Sequence, residues 1–116
     1  MRLIDINQKI SLNKLRKMSF KIFGGLVKAV VDIEKEIMVV DGEMHADEER
    51  FLLDNGSKQN NLWGINLYPD FFGTSNFIEF DSIINIRPRL NNLSREIKNE
   101  NIRKKIVEIV NKLIIK

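Results

Sequence analysis

The segment LVKAVVDIEKEIMVVD, residues 26–41, decides the fold of this chain, because two hydrophobic periods compete within it. A helical period is matched by Leu26, Val30, Ile33 and Ile37. A strand alternation is matched by Val27, Ala29, Val31 and Ile33. The segment is rich in valine, which favours strands, and the charged triplet Glu34-Lys35-Glu36 is placed for a turn. We therefore predict a β-hairpin rather than a helix.

The segments on either side of this hairpin supply the other elements. Helices are predicted over 12–23, 46–54 and 100–115. Strands are predicted over 2–6, 62–67 and 78–87. Ser11 is suited to cap the first helix, and Gly24-Gly25 is suited to end it. The strand over 78–87 places Ile78, Phe80, Ile84 and Ile86 on one face, with Ser82 as its one polar break.

The resulting order is β-α-β-β-α-β-β-α. Successive hairpins imply antiparallel pairs, so the order predicts an α+β fold. We expect a single domain over residues 1–116, with three helices packed on a mostly antiparallel or mixed sheet of about five strands.

The composition excludes several classes of protein. The chain has no cysteine, which removes disulfides, zinc–thiolate sites and thiol nucleophiles. It has neither a signal-peptide pattern at its start nor an apolar run of the ~20 residues that a membrane span needs, so we expect a soluble, cytoplasmic protein without membrane contact. Its net charge of +3 is segmented: residues 1–40 sum to +4, residues 41–82 to −7 and residues 83–116 to +6.

The first candidate site surrounds the only histidine, His45. It is flanked by the acids Glu43, Asp47, Glu48 and Glu49. A histidine with carboxylates is sufficient for acid–base catalysis or for a divalent metal, and Glu79 and Asp81 could join it as catalytic partners. The competing interpretation is structural, because acids in a first helical turn complement the helix dipole and strand residues facing water are often charged. The pattern identifies no metal and no cofactor.

A second group consists of four aromatic side chains beside Pro69: Trp63, Tyr68, Phe71 and Phe72. Trp63 lies on the apolar face of its predicted strand and is expected in the core. Phe71 and Phe72 lie in a loop, where packing explains them less readily. We therefore expect Phe71 and Phe72 to form a binding surface if they are exposed.

The third group is basic, with Arg87, Arg89 and Arg95 as its candidate binding residues. Lysines and arginines of the following segment accompany them: Lys98, Arg103, Lys104 and Lys105. Such side chains can hold a phosphate or a carboxylate. The helical lysines also fit an ordinary solvated face, and no nucleic-acid-binding motif accompanies them, so a nucleic-acid partner is not favoured although the charge alone does not exclude it.

Four segments carry a resemblance to a known family. They are MHADEE (44–49), NGSKQ (55–59), LWGINLYP (62–69) and INIRP (84–88). The chain resembles a family of short bacterial proteins of unknown function, from Phe23 to the terminal helix. The resemblance supports the hairpin and a free-standing small protein, and it implies no activity.

The loop after Pro88 departs from this family. Asn91 stands where the family pattern would have glycine, and Leu93 stands where it would have arginine. Asparagine tolerates the left-handed conformation, so the turn is expected to survive. The missing arginine weakens this loop as an anion site.

Two functions follow from these groups. The first is a small binding or regulatory module that contacts a protein or an anionic ligand through Phe71, Phe72 and the basic loop. The alternative is a small hydrolase or metal-dependent enzyme, which requires His45 and two carboxylates to converge in a pocket. A homo-oligomer is compatible with both, and the sequence leaves open whether the protein is an enzyme.

Overall fold

Seven strands and three α-helices are formed by residues 1–116, all of which the computed structural model describes. The strands are β1 (Arg2–Ile4), β2 (Ile10–Ser11), β3 (Val27–Asp32), β4 (Ile37–Val40), β5 (Leu62–Leu67), β6 (Ile78–Glu79) and β7 (Ile114–Ile115). The helices are α1 (Leu12–Ile22), α2 (His45–Asp54) and α3 (Glu100–Leu113). None of these helices has both the length and the apolar character of a membrane span.

The predicted α+β class is confirmed. Five strands form an antiparallel sheet in the order β1-β4-β3-β5-β6, and β2 and β7 pair separately as a short parallel ribbon. The three predicted helices are all present in one compact domain. Because α1 and α3 pack on one face of the sheet and α2 on the other, all six residues of β5 are buried.

The hairpin over residues 26–41 is confirmed and supplies the central strand β3, which pairs with β4 on one side and β5 on the other. Its turn lacks glycine, so Glu36 itself adopts a positive φ of 58°. Asp32 holds the turn, since its Oδ1 accepts the backbone N–H groups of Glu34 and Lys35 at 2.9 Å each. Glu36 therefore takes the conformation that glycine often supplies in a turn, and the buried carboxylate of Asp32 binds the turn's N–H groups.

The long strand predicted over 78–87 is wrong. The chain leaves the sheet after β6 and turns at Ser82 into a short 3-10 turn. The side chain of Asn85 then takes the place that a longer β6 would have beside β5: its Oδ1 accepts Gly64 N–H at 2.8 Å and its Nδ2 donates to Gly64 O at 2.9 Å. The close approach of this turn to β5 requires glycine at position 64, because a Cβ there would lie 2.6 Å from the Ser82 Cβ.

The ends of the chain differ slightly from the predictions. The first strand stops at Ile4, because Asp5 forms a turn in which its Oδ1 accepts the N–H groups of Asn7 and Gln8 at 2.8 Å. The last helix stops at Leu113, and the next two residues form β7 instead of a final helical turn. The predicted Ser11 cap is confirmed, with its Oγ accepting a backbone N–H at 3.0 Å.

Candidate functional site

The acids of the first turn of α2 do not share one environment. Asp47 is exposed, whereas Glu48 is fully buried with 0% of its surface accessible. The structural interpretation takes Asp47, Glu48 and Glu49 as solvated charges at the start of a helix. This interpretation is wrong for Glu48. Its Oε2 accepts the N–H of Gly42 at 2.9 Å, and its Oε1 has no hydrogen-bond partner. Burial raises the pKa of Glu48 to about 9, so this side chain is a neutral acid at pH 7.

His45 is the first residue of α2 and is half-buried. Its Nε2 donates to the carbonyl oxygen of Ile65 at 2.8 Å, since a carbonyl can only accept. Burial lowers the pKa of His45, an effect that the Ile65 hydrogen bond opposes. The imidazole is thus neutral at pH 7, with Nδ1 left as a free acceptor.

The two predicted catalytic carboxylates bind other groups than His45. Glu79 Oε1 accepts hydrogen bonds from Asn66 Nδ2 at 2.8 Å and from the Tyr68 hydroxyl at 3.1 Å. Asp81 Oδ1 accepts Arg95 Nε at 2.8 Å. His45 forms no hydrogen bond with either acid, and no group of three or more His, Asp or Glu side chains is arranged to hold a metal ion.

The two phenylalanines of the loop differ in their environment. Phe71 is 50% exposed, and its ring centroid lies 6.4 Å from that of Tyr68. Phe72 packs against the main core, edge-on to Phe77 at 5.0 Å between ring centroids. Trp63 is buried in the core, as the sequence predicted. Of the predicted aromatic surface, Phe71 alone is openly accessible.

The three candidate arginines also separate. The Arg87 side chain is nearly buried: it pairs with Glu49 at 2.8 Å, donates to the carbonyl oxygen of Leu62 and lies over the Trp63 ring. Arg95 is neutralised by its pair with Asp81, described above. Arg89 is exposed and forms no ion pair within the chain.

An asparagine ends the short 3-10 turn that contains Arg89. Asn91 adopts the left-handed conformation with φ 58°, in agreement with the predicted tolerance of asparagine for this turn. The carbonyl oxygen of Pro88 accepts the Asn91 N–H at 3.0 Å within this turn, and Arg89 is exposed.

A groove with a mixed polar and aliphatic lining lies beside Arg89. It has a volume of about 410 Å³ and is lined by Ile83, Ile86, Leu90 and Arg89 among others. Ile83 is 67% exposed, and Ile86 is 44% exposed although a continuous strand would have placed Ile86 on the apolar face with Ile84. We call this feature the isoleucine groove. The sequence pattern did not predict this groove, because the groove forms only where the chain turns after Ser82. The polar Ser82 within the apolar row was the only sign of that turn in the sequence.

Two further residues position Glu79: Asn66, which was not predicted as a site residue, and Tyr68, which was predicted only as a member of the aromatic group. Asn66 is buried one residue before the end of β5, and Tyr68 directly follows the last residue of that strand. An amide within the otherwise apolar run LWGINL, residues 62–67, was the available signal, because a buried polar side chain needs a partner. That partner is Glu79.

The fold defines a small α+β protein with an antiparallel sheet covered by helices on both faces. The chain belongs to a family of proteins of unknown function, DUF5674, whose family model matches residues 4–113. No curated protein and no solved structure matches the chain significantly.

Proposed function

We propose that this protein is a small binding module that docks an aliphatic, acid-bearing segment of another protein in the isoleucine groove. The observation that carries the proposal is that Ile83, Ile86 and Leu90 are exposed on one loop. No other part of the chain covers these side chains. Clustered exposed aliphatic side chains with a polar rim are typical of protein contact sites.

The charges of the groove favour an acidic partner. Arg87 and Glu49 neutralise each other at its base, so Arg89 is the lining cation without a partner in the chain. An arginine at the rim of an apolar groove can bind a carboxylate with two parallel hydrogen bonds. The expected partner segment therefore presents leucine, isoleucine or valine next to aspartate or glutamate.

Selection from a random peptide library tests this proposal. Peptides enriched on the wild-type protein should combine aliphatic and acidic residues. Their affinity for the variant Ile86→Ser should fall about tenfold to a hundredfold, because burying one isoleucine contributes roughly 1.5–3 kcal/mol. Isothermal titration of the selected peptides measures this change, and Arg89→Gln should weaken the acidic peptides in particular.

Leu93→Ser is the matched control, since Leu93 is 75% exposed and does not line the groove. Selected peptides should bind this variant as tightly as the wild type. Peptides that bind wild type and Ile86→Ser equally would overturn the proposal. A dimer in light scattering that Ile86→Ser dissociates would instead identify a second copy of the chain as the occupant.

Acid–base catalysis by His45 with Glu79 and Asp81 is the alternative function. The neutral imidazole with a free Nδ1 favours it, because a general base must be unprotonated at working pH. A thermal-shift screen with divalent metals and nucleotides on wild type and His45→Ala tests it. A ligand that stabilises only the wild type supports the enzyme, and the absence of any such ligand removes the support for it.

A further inference from the structure

A second cleft lies apart from the isoleucine groove, between the 3-10 turn at 69–71 and β6. It has a volume of about 330 Å³ and is lined by Tyr68, Phe71, Ser75, Asn76, Ile78 and Glu79. This volume is at the low end of the ~300–1,000 Å³ range of small-molecule sites. No residue is shared between the two features, so this inference does not rest on the proposed function.

Glu79 is a carboxylate without a cation. Its Oε1 accepts hydrogen bonds from two neutral donors, the amide of Asn66 and the hydroxyl of Tyr68, and its Oε2 has no partner in the chain. The neighbouring acids are all paired: Asp70 with Arg16, Asp81 with Arg95 and Glu96 with Lys98. Glu79 is therefore the acid at the wall of the cleft that no ion pair of the chain neutralises.

The chain holds this carboxylate in place with a buried side chain. Asn66 is 93% buried, and its Oδ1 has no hydrogen-bond partner. An unpaired buried amide oxygen is unfavourable for folding. The Nδ2 of the same amide donates to Glu79, and also weakly to Asp81 O at 3.3 Å. The amide is thus positioned for the carboxylate while its own oxygen stays unsatisfied.

Tyr68 and Phe71 add aromatic walls. Their rings are inclined at 57° to each other, and Phe71 is half exposed. Burial, followed by the charge of Glu79, raises the pKa of Tyr68, so its hydroxyl stays protonated and continues to donate to Glu79. Aromatic faces attract cations, and a carboxylate beside them supplies the opposite charge.

We propose that this cleft binds an organic cation, an ammonium or guanidinium group on an aliphatic stem. Glu79 Oε2 accepts hydrogen bonds from the cationic head, and the Tyr68 and Phe71 rings contact the head and stem. The same chemistry is offered by an arginine or lysine side chain of a polypeptide and by a free small-molecule amine. Both sources therefore present the same kind of cationic group to the cleft.

Amide chemical-shift titration of the full chain tests the proposal with three probes: capped arginine, agmatine and capped citrulline. Arginine or agmatine, at concentrations up to about 50 mM, should give saturable shifts at Tyr68, Phe71, Asn76 and Glu79. Citrulline, which is neutral and similar in shape, should give none. Saturation by capped arginine alone assigns a polypeptide side chain, and saturation by agmatine alone assigns a free amine.

Two variants and one control complete the test. Glu79→Gln should weaken binding at least about tenfold, and Phe71→Ser about threefold or more, because the first removes the charge and the second an aromatic wall. Glu96→Gln removes a carboxylate that Lys98 already neutralises, so it should bind as the wild type does. Equal shifts with citrulline, equal binding by Phe71→Ser and wild type, or no saturable shift with either cation would overturn the proposal.

Discussion

Replacing Glu48 with glutamine is expected to raise the free energy of unfolding at pH 7 by about 3 kcal/mol. The buried carboxyl has a pKa of about 9 in the folded protein and an ordinary value of 4.5 when unfolded. The unfolded chain therefore gains free energy from ionisation that the folded chain cannot gain. Glutamine keeps the shape of the side chain and removes this difference.

The pH dependence gives the sharper measurement. Above pH 4.5 the folded state binds one more proton than the unfolded state, so stability should fall as pH rises, by about 1.4 kcal/mol per unit up to pH 9. The lowered pKa of His45 acts in the opposite direction, but only below its ordinary value of 6.5. Urea unfolding between pH 7 and pH 9 therefore isolates Glu48.

The control for this experiment is Glu43→Gln, because Glu43 is an exposed acid just before the same helix. This variant should keep the wild-type slope, and Glu48→Gln should lose it. A wild-type stability that is constant from pH 7 to pH 9 would contradict the assignment of Glu48 as a neutral buried acid.

Replacing Asn85 with alanine is expected to lower the free energy of unfolding by about 3 kcal/mol, because the N–H and C=O of Gly64 lose their partner in a buried environment. The side chain also donates to the carbonyl oxygen of Arg95 at 3.0 Å. Asn85 therefore joins the sheet to two loops, and its loss should also release the turn that presents Ile83 and Ile86.

Urea unfolding measures this loss, and hydrogen exchange at the Gly64 amide reports its local origin. Asn101→Ala is the control, since Asn101 is exposed on α3 and its change should stay within about 0.5 kcal/mol. A loss below about 1 kcal/mol in Asn85→Ala would show that Gly64 finds other partners, such as water.

The sequence alone was informative where local rules decide the structure. The hairpin over 26–41 followed from valine content and a charged turn, and the first helix followed from its Ser11 cap. The left-handed turn at Asn91 followed from the conformational tolerance of asparagine. Each of these features depends on residues close together in the chain, so their spacing was sufficient evidence.

Candidate site residues were less predictable, because their roles depend on distant partners. Arg87 resembled a free anion-binding residue, yet it pairs with Glu49, which lies 38 positions earlier in the chain. Glu79 resembled the solvated face of a strand, and only its bonds from Asn66 and Tyr68 distinguish it as a positioned carboxylate. Residue type identified these side chains as candidates without indicating which of them are already neutralised.

The sequence by itself determined the α+β class, the central hairpin and the three helices, because hydrophobic period, caps and turn residues act over a few positions. Only the tertiary structure decided that Glu48 is buried, that the chain leaves the sheet after β6 and that Ile86 faces outward. The physical reason is the pairing of Asn85 with Gly64 and the burial of α2 on the sheet. The Asn85–Gly64 pairing and the packing of α2 on the sheet each join segments that are far apart in the chain. No local pattern of residues predicts such contacts.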